Sequence, residues 1–346
     1  MMPSVRTQLP KTNKRYCVSS QPTFDNRRQV LITTLRENQA YLAGLSLATE
    51  FPGKDFVIST DARNPDIVLY LEYGYAGLTD LPLLIRQVRK YQAAFHFLYS
   101  ESDWIFPVLP GAYPSLTKPV EWAESWCYLP RPSPAIQNGP FKRPHADLLF
   151  SFLGRVATDP LRKSVIQLDS TSTPCLDIKG APQRFREYNY TNTYVELLTR
   201  SRFVLCPRGF GASSIRIFEA MSMGRVPVII SDLWRPPPGI SWSDLSVIVP
   251  EKDVVNIPAI LSRMDHMSGH MGEMAKQAYS ENYAPEVFFD KLLSNLVQNY
   301  SWCKYSTLDT LVRAYHSVGW REIKTLGSKA KAQAVHAIHR LIPMAN

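Results

Sequence analysis

At 346 residues the chain is longer than one ordinary core, and at roughly 150 residues per domain it is expected to form two. With 45% hydrophobic and 20% charged residues, and with 17 Tyr, 15 Phe and 7 Trp, it is not a disordered, collagenous or coiled-coil chain. Its net charge of +9 sits at the ends, since residues 1–20 carry 4 basic and no acidic side chains and residues 311–346 carry 6 basic and 1 acidic; a neutral body without a basic stripe argues against nucleic acid as a partner.

In chain order, residues 1–20 read as a basic tail, with no apolar segment behind Arg6, Lys11, Lys14 and Arg15 such as a secretory signal would have. Residues 28–49 read as a helix on the spacing of Leu31, Leu35, Tyr41, Leu42 and Leu45. Short buried strands follow at 55–58 and 66–71, then a helix at 83–91 and a strand at 94–99, the alternation of a parallel α/β layer. Nine prolines between 107 and 144 predict a long irregular region and a domain boundary near its end.

The pattern then restarts. Strand 148–153, helix 160–168, a weak strand at 175–178, helix 193–201 and strand 203–206 lead to a glycine-containing loop. Helix 214–223, strands 226–231 and 246–249 and helix 254–264 complete a second α/β unit. The expected organisation is a tail at 1–20, a first Rossmann-like domain at 21–144, a second at 145–305 and a basic helical segment at 306–346, where 328–342 forms an Ala-rich amphipathic helix. That helix either packs on the body or touches anionic lipid. The apolar runs are strand-sized, below the about 20 residues of a membrane helix, and the five scattered cysteines form no Cys-x-x-Cys pair, so a reducing, cytoplasmic setting is expected.

The stretch from Ser201 to Ala220 carries the most chemistry. A buried strand ends at Pro207, Gly209 and Gly211 allow close backbone approach, and Ser213 or Ser214 caps a new helix. Such a helix N-terminus suits a phosphate. Arg208 in the loop and Arg216 in the first turn oppose the helix macrodipole, which a bound anion would explain. Glu219, one turn on, is placed to accept hydrogen bonds from ribose hydroxyls, and Arg162 and the Gly154-Arg155 turn are further phosphate candidates. His266 and His270, four apart around Gly269, have no evident third ligand. Nine aromatics in residues 95–128, among them Trp104, Tyr113, Trp122 and Trp126, either stack on sugar faces or pin the proline-rich stretch to the body.

A longer match joins these features. The run Phe203 to Val249, with Arg216-Ile217-Phe218-Glu219-Ala220, Gly224-x-Val226-Pro227-Val228-Ile229-Ile230, Asp232-x-Trp234 and Trp242, resembles the exostosin family, glycosyltransferase family 47. Upstream, Phe150-Ser151-Phe152-Leu153-Gly154 with Arg162 and Tyr194 is similar too, as, more weakly, are Phe97-x-Tyr99, Asp103 and Pro110-Gly111-x-Tyr113. The resemblance implies a GT-B fold, two Rossmann-like domains facing across a cleft, and an inverting glycosyltransferase that takes a sugar from a UDP donor without a metal. Pro236-Pro237-Pro238 departs from the family's Leu-Pro-Phe on the cleft wall.

Retaining GT-B relatives carry two Glu eight apart, whereas here Gly211 precedes and Pro227 follows Glu219 by eight. Inversion requires a general base, for which Asp103, after the third predicted strand, is the first candidate and Glu101 and Glu72 its rivals. No Asp-x-Asp is present and the Glu-x-Asp pairs 101/103 and 251/253 are weak metal signals, so no metal or other cofactor is expected. Donor contacts are expected from Arg208, Gly209, Ser214, Arg216, Glu219 and Arg162. The acceptor is expected to be a glycan or lipid-linked saccharide, with the basic ends against an anionic membrane. The other reading is a GT-B body that binds nucleotide or glycan without turnover.

Overall fold

The computed structural model describes residues 27–72, 81–103, 105, 107–131, 146–178 and 189–300. Both basic ends, Trp104 and the amphipathic segment 328–342 lie outside them. Two parallel sheets organise the chain, as expected of a GT-B-like α/β protein.

The first sheet takes the order β2-β1-β3-β4-β5-β6 from strands β1 Arg28–Thr33, β2 Phe56–Ser59, β3 Ile67–Glu72, β4 Phe95–Ser100, β5 Gly111–Ala112 and β6 Ala123–Glu124. Helices α1 Gln39–Glu50 and α2 Leu81–Lys90 connect its first members. The helix expected over 28–49 is a strand followed by a helix. Val30, Leu31 and Ile32 are buried between β2 and β3, so pairing on both edges overrides the helical spacing. Asn38 then starts α1 by accepting from the Tyr41 amide at 3.0 Å. The proline-rich stretch is also not wholly irregular, because β5 and β6 extend the sheet from β4 in parallel register.

The second sheet has the order β11-β10-β9-β7-β8, built from β7 Leu148–Gly154, β8 Cys175–Asp177, β9 Ser201–Pro207, β10 Val226–Ile230 and β11 Val247–Val249. Its helices are α3 Leu161–Ile166, α4 Asn189–Arg200, α5 Ile215–Ser222 and α6 Ile257–Met264, the last preceded by a 3-10 turn at Glu251–Asn256 where one continuous helix was expected. β9 is buried at every position but Arg202 and β10 along its whole length, with Phe203, Val204, Leu205, Val226, Val228, Ile229 and Ile230 at their centres, as central parallel strands are.

Two further helices, α7 Ser268–Asn282 and α8 Phe288–Tyr300, tie the units together. α7 packs on α5, whereas α8 packs on the first unit: Phe288 meets Tyr99 edge-on at 5.7 Å, and Asp290 accepts from the Lys54 and Asp55 amides at 2.7 and 3.1 Å. One apolar cluster therefore runs from Leu71, Phe97 and Trp126 in the first unit to Phe218, Trp242 and Tyr283 in the second. Among the described residues no helix is long and apolar enough to cross a membrane.

Candidate functional site

In the second sheet β7 and β9 are neighbours although β8 lies between them in sequence. At such a switch point the flanking connections diverge and a crevice opens at the carboxyl ends of the strands. Gly154 ends β7 there, and β9 runs out at Pro207 into the loop Arg208-Gly209-Phe210-Gly211-Ala212-Ser213.

Two buried arginines shape this crevice. Arg162, on α3, donates from Nε to the Arg208 carbonyl at 2.8 Å, from Nη1 to the Arg155 carbonyl at 3.1 Å and from Nη2 to the Pro207 carbonyl at 3.1 Å. It thereby ties the glycine loop to the turn that leaves β7. Arg216 donates from Nη2 and Nε to the Leu153 carbonyl at 2.8 and 3.2 Å, with its guanidinium over the rings of Phe152 and Tyr194. Gly154 is required beside it, because a Cβ there would stand 2.6 Å from Arg216 Nη2. Both cations lie at the base of the loop and add positive field to the start of α5.

Ser214 is the N-cap of α5, but its hydroxyl makes no capping bond; the Oγ atoms of Ser214 and of Ser231, at the end of β10, are buried without a hydrogen-bond partner. Arg208, expected to face a phosphate, is held by two carboxylates, Glu251 at 2.7 Å and Asp159 at 2.6 Å. Those pairs, led by Glu251, raise its pKa further. Glu219 is half-buried and accepts from the Tyr194 hydroxyl. Burial raises its pKa, while the Tyr194 bond and the Arg216 charge work against the rise.

Of the three carboxylates considered as a base, the structure brings one to this loop. Glu72 is taken up within the first sheet, accepting from the Leu35 amide at 2.6 Å and from Thr34 and Asn38. Glu101 is buried and accepts from the Leu129 amide at 2.7 Å and from Arg131. Asp103 reaches across to the second unit, where its carboxylate lies against Gly211. Gly211 sits so close that a Cβ would stand 2.3 Å from Asp103 Oδ1 and 2.3 Å from Ser115 Oγ. Partial desolvation against the loop lifts the Asp103 pKa, opposed by the Gly211 amide and the Arg162 charge, while the residue stays exposed to solvent.

Beside α5 lies a cleft of about 310 Å³. One wall is the 127–131 segment with Tyr128 and Arg131, a second is the outer face of α5 with Phe218, Glu219 and Ser222, and a third holds Tyr279, Tyr283, Pro285 and Glu286. Sequence reasoning found Glu219 but not the aromatic and Arg131 walls, nor the part of Asp159 and Glu251 in holding Arg208. The Glu251-x-Asp253 spacing is the one local signal for that pair, and by itself it reads as a weak metal motif.

The aromatics of the proline-rich stretch act as pins. Tyr113 is fully buried and donates to the Leu109 carbonyl at 2.7 Å, Trp122 Nε1 donates to the Pro107 carbonyl at 2.8 Å, and Trp126 packs edge-on against Tyr283 at 5.8 Å. In the Pro236-Pro237-Pro238 run the Pro237 carbonyl accepts from Trp242 Nε1 at 3.0 Å, and Trp242 meets Trp234 edge-on. His266 and His270 are both exposed, and among the described residues no three His, Cys, Asp or Glu side chains cluster as a metal set.

Residues 124–264 match the Exostosin GT47 domain, which contains the crevice, the glycine loop and α5. The chain is 43% identical over 70 residues to the Exostosin-1 homolog of Caenorhabditis elegans, covering 20% of this chain and 18% of that one. It is 31% identical over 141 residues to a protein of Oryza sativa subsp. japonica named "Probable glucuronosyltransferase", 39% and 32% of the two chains. Identity is 41% over 75 residues to one of Arabidopsis thaliana named "Probable beta-1,4-xylosyltransferase", 21% and 18%. The matches thus span less than a third of these relatives' length. Among solved structures, a glycosyltransferase from Rickettsia africae ESF-5 gives a TM-score of 0.41 at 9% identity, covering 80% of this chain and 99% of that one. TarM gives 0.40 at 13%, covering 75% and 59%. The expected resemblance to the exostosin family is met over the domain's own span.

Proposed function

We propose that the protein is an inverting, metal-independent glycosyltransferase that moves a sugar from a nucleotide donor, a UDP-sugar, to a hydroxyl of a glycan or lipid-linked acceptor. The observation that carries this reading is the meeting of Asp103 from the first unit with Gly211 in the glycine loop of the second. The match to the exostosin domain supports the class of reaction.

In this reading the donor's diphosphate lies along Gly209 to Ser214, at the start of α5, where the unpartnered Ser214 hydroxyl is a ready donor. Arg216 and Arg162 offset the charge that develops on the leaving nucleoside diphosphate, and losing one such group costs about 10²–10³ in turnover. Arg208 acts through Asp159 and Glu251 to hold the loop rather than as a free cation. Glu219 accepts from the ribose hydroxyls. Asp103 takes the proton of the acceptor hydroxyl, whose oxygen attacks the anomeric carbon on the face opposite the diphosphate. One C–O bond forms as the bond to the phosphate oxygen breaks, and configuration inverts. The reaction is placed in the cytoplasm, with the basic ends against an anionic membrane face.

Replacing Asp103 by Asn tests the reading. With radiolabelled UDP-sugars and a panel of oligosaccharide acceptors, Asp103→Asn is expected to lose about 10²–10⁴ in turnover while still binding UDP. A wild-type protein that binds UDP but neither transfers nor hydrolyses any donor is instead the binding module.

A further inference from the structure

Packing takes up the aromatic side chains, with one exception. Among the described residues every Tyr, every Trp and every other Phe is buried or half-buried, whereas Phe210 is 66% exposed. Single exposed apolar residues are ordinary on a surface, so its setting decides its meaning. The loop that carries it is held on both sides. Before it, Arg162 donates to the Pro207 and Arg208 carbonyls, and the Arg208 amide donates to the Ile230 carbonyl at 3.1 Å. After it, Gly211, Ala212 and Ser213 are buried, with Gly211 against Asp103 and Ser115. The fold thus fixes the backbone and leaves the ring in water, where a ligand that covers its apolar surface gains binding energy.

The residue beside it selects the ligand. Phe210 adjoins Gly211, so its Cα stands about 3.8 Å from that of the residue that touches Asp103. A hydroxyl that gives its proton to Asp103 comes within about 2.6–3.2 Å of the carboxylate, and the ring bearing that hydroxyl then lies within reach of the Phe210 side chain. The start of α5, where a phosphate binds in the reading above, is further along the chain at Ser214. A pyranose whose hydroxyls are all equatorial carries C–H bonds on both faces, and the electron-rich face of an aromatic ring attracts them. We propose that Phe210 is an acceptor platform: its ring stacks on the terminal pyranose of a neutral, equatorially substituted acceptor, a β-xyloside or β-glucoside, and turns a hydroxyl of that sugar toward Asp103. That the saccharide is the acceptor rests on the reading above, whereas its hold on Phe210 is measurable without turnover.

Phe210→Ala and Phe210→Tyr test this on the full chain. Thermal unfolding comes first, and because the ring is exposed both variants are expected to melt with the wild type. Calorimetry then measures xylobiose, cellobiose and UDP with all three proteins. The wild type is expected to bind at least one disaccharide, Phe210→Ala to bind it at least about tenfold more weakly, and Phe210→Tyr, which keeps the ring face, to bind it as the wild type does. UDP affinity is expected to be the same in all three. Disaccharide affinity unchanged in Phe210→Ala overturns the proposal, as does an equal loss of UDP, which gives the ring to the nucleotide. A Phe210→Tyr protein as weak as Phe210→Ala overturns the stacking. So does a Phe210→Ala protein that melts well below the wild type, since the ring then packs on the body, and so does a wild type that binds neither disaccharide. Undiminished turnover in Asp103→Asn overturns the base instead, and the disaccharide affinities still decide Phe210.

Discussion

Asp103 shows how a single side chain acquires a task from its surroundings. Partial desolvation raises its pKa, and the Gly211 amide and Arg162 pull it back. A base must be ionised, so kcat/KM is expected to rise with pH along an acid limb lying above the ordinary aspartate value of about 3.9. An acid limb at or below that value counts against Asp103. Gly211 answers to the same contact. In Gly211→Ala the new methyl would stand 2.3 Å from both Asp103 Oδ1 and Ser115 Oγ, so the Asp103 side chain must swing away from the loop. Overpacking of this kind costs about 1–3 kcal/mol, readable by urea unfolding, and turnover should fall with it. Asp103 was legible in the sequence as a carboxylate after a strand. That Glu101 and Glu72 are occupied by backbone amides was not, because their partners Leu129 and Leu35 are recognised only once the loops are folded.

Among the elements, β6 and α8 meet at Glu124, which accepts from Asn299 Nδ2 at 3.2 Å and whose pKa burial pushes up to about 7. The folded state therefore holds a proton that the unfolded chain, titrating near 4.3, has released. This contribution to stability is fully present below about pH 4.3 and is lost as pH rises toward 7, by up to about 3–4 kcal/mol. Glu124→Gln should remove that part of the decline and be the more stable protein at pH 8. Chemical denaturation of both proteins from pH 4.5 to 8 checks it, and parallel curves would deny Glu124 the role. At the first strand, the hydrophobic spacing of 28–49 fits a helix as well as the Val-Leu-Ile run fits a strand. Parallel partners on both sides of β1 decide between them.

At the level of the whole molecule, one apolar cluster and α8 join two α/β units, so ligand binding in the crevice should register in global unfolding. UDP at 100 times its dissociation constant stabilises by about 2.7 kcal/mol, a shift of several degrees in Tm for a chain of this size. The shift is expected to survive EDTA and to vanish in Arg216→Ala. A shift that requires a divalent cation would replace the metal-independent reading, and one unchanged in Arg216→Ala would move the donor away from this loop.

Legible in the chain alone are the alternation of two α/β units, the strand cores other than β1, β5 and β6, and the glycine loop leading into α5. Each is written in a few consecutive residues whose apolar runs, glycines and cap can be read locally. Folding alone brings Asp103 against Gly211, ties Arg208 to Asp159 and Glu251, returns α8 to the first unit, and sets Tyr128, Phe218 and Tyr283 around one cleft. These contacts join residues far apart along the chain, and their energies depend on burial and on which partner arrives first at a carboxylate. No local pattern encodes such a choice.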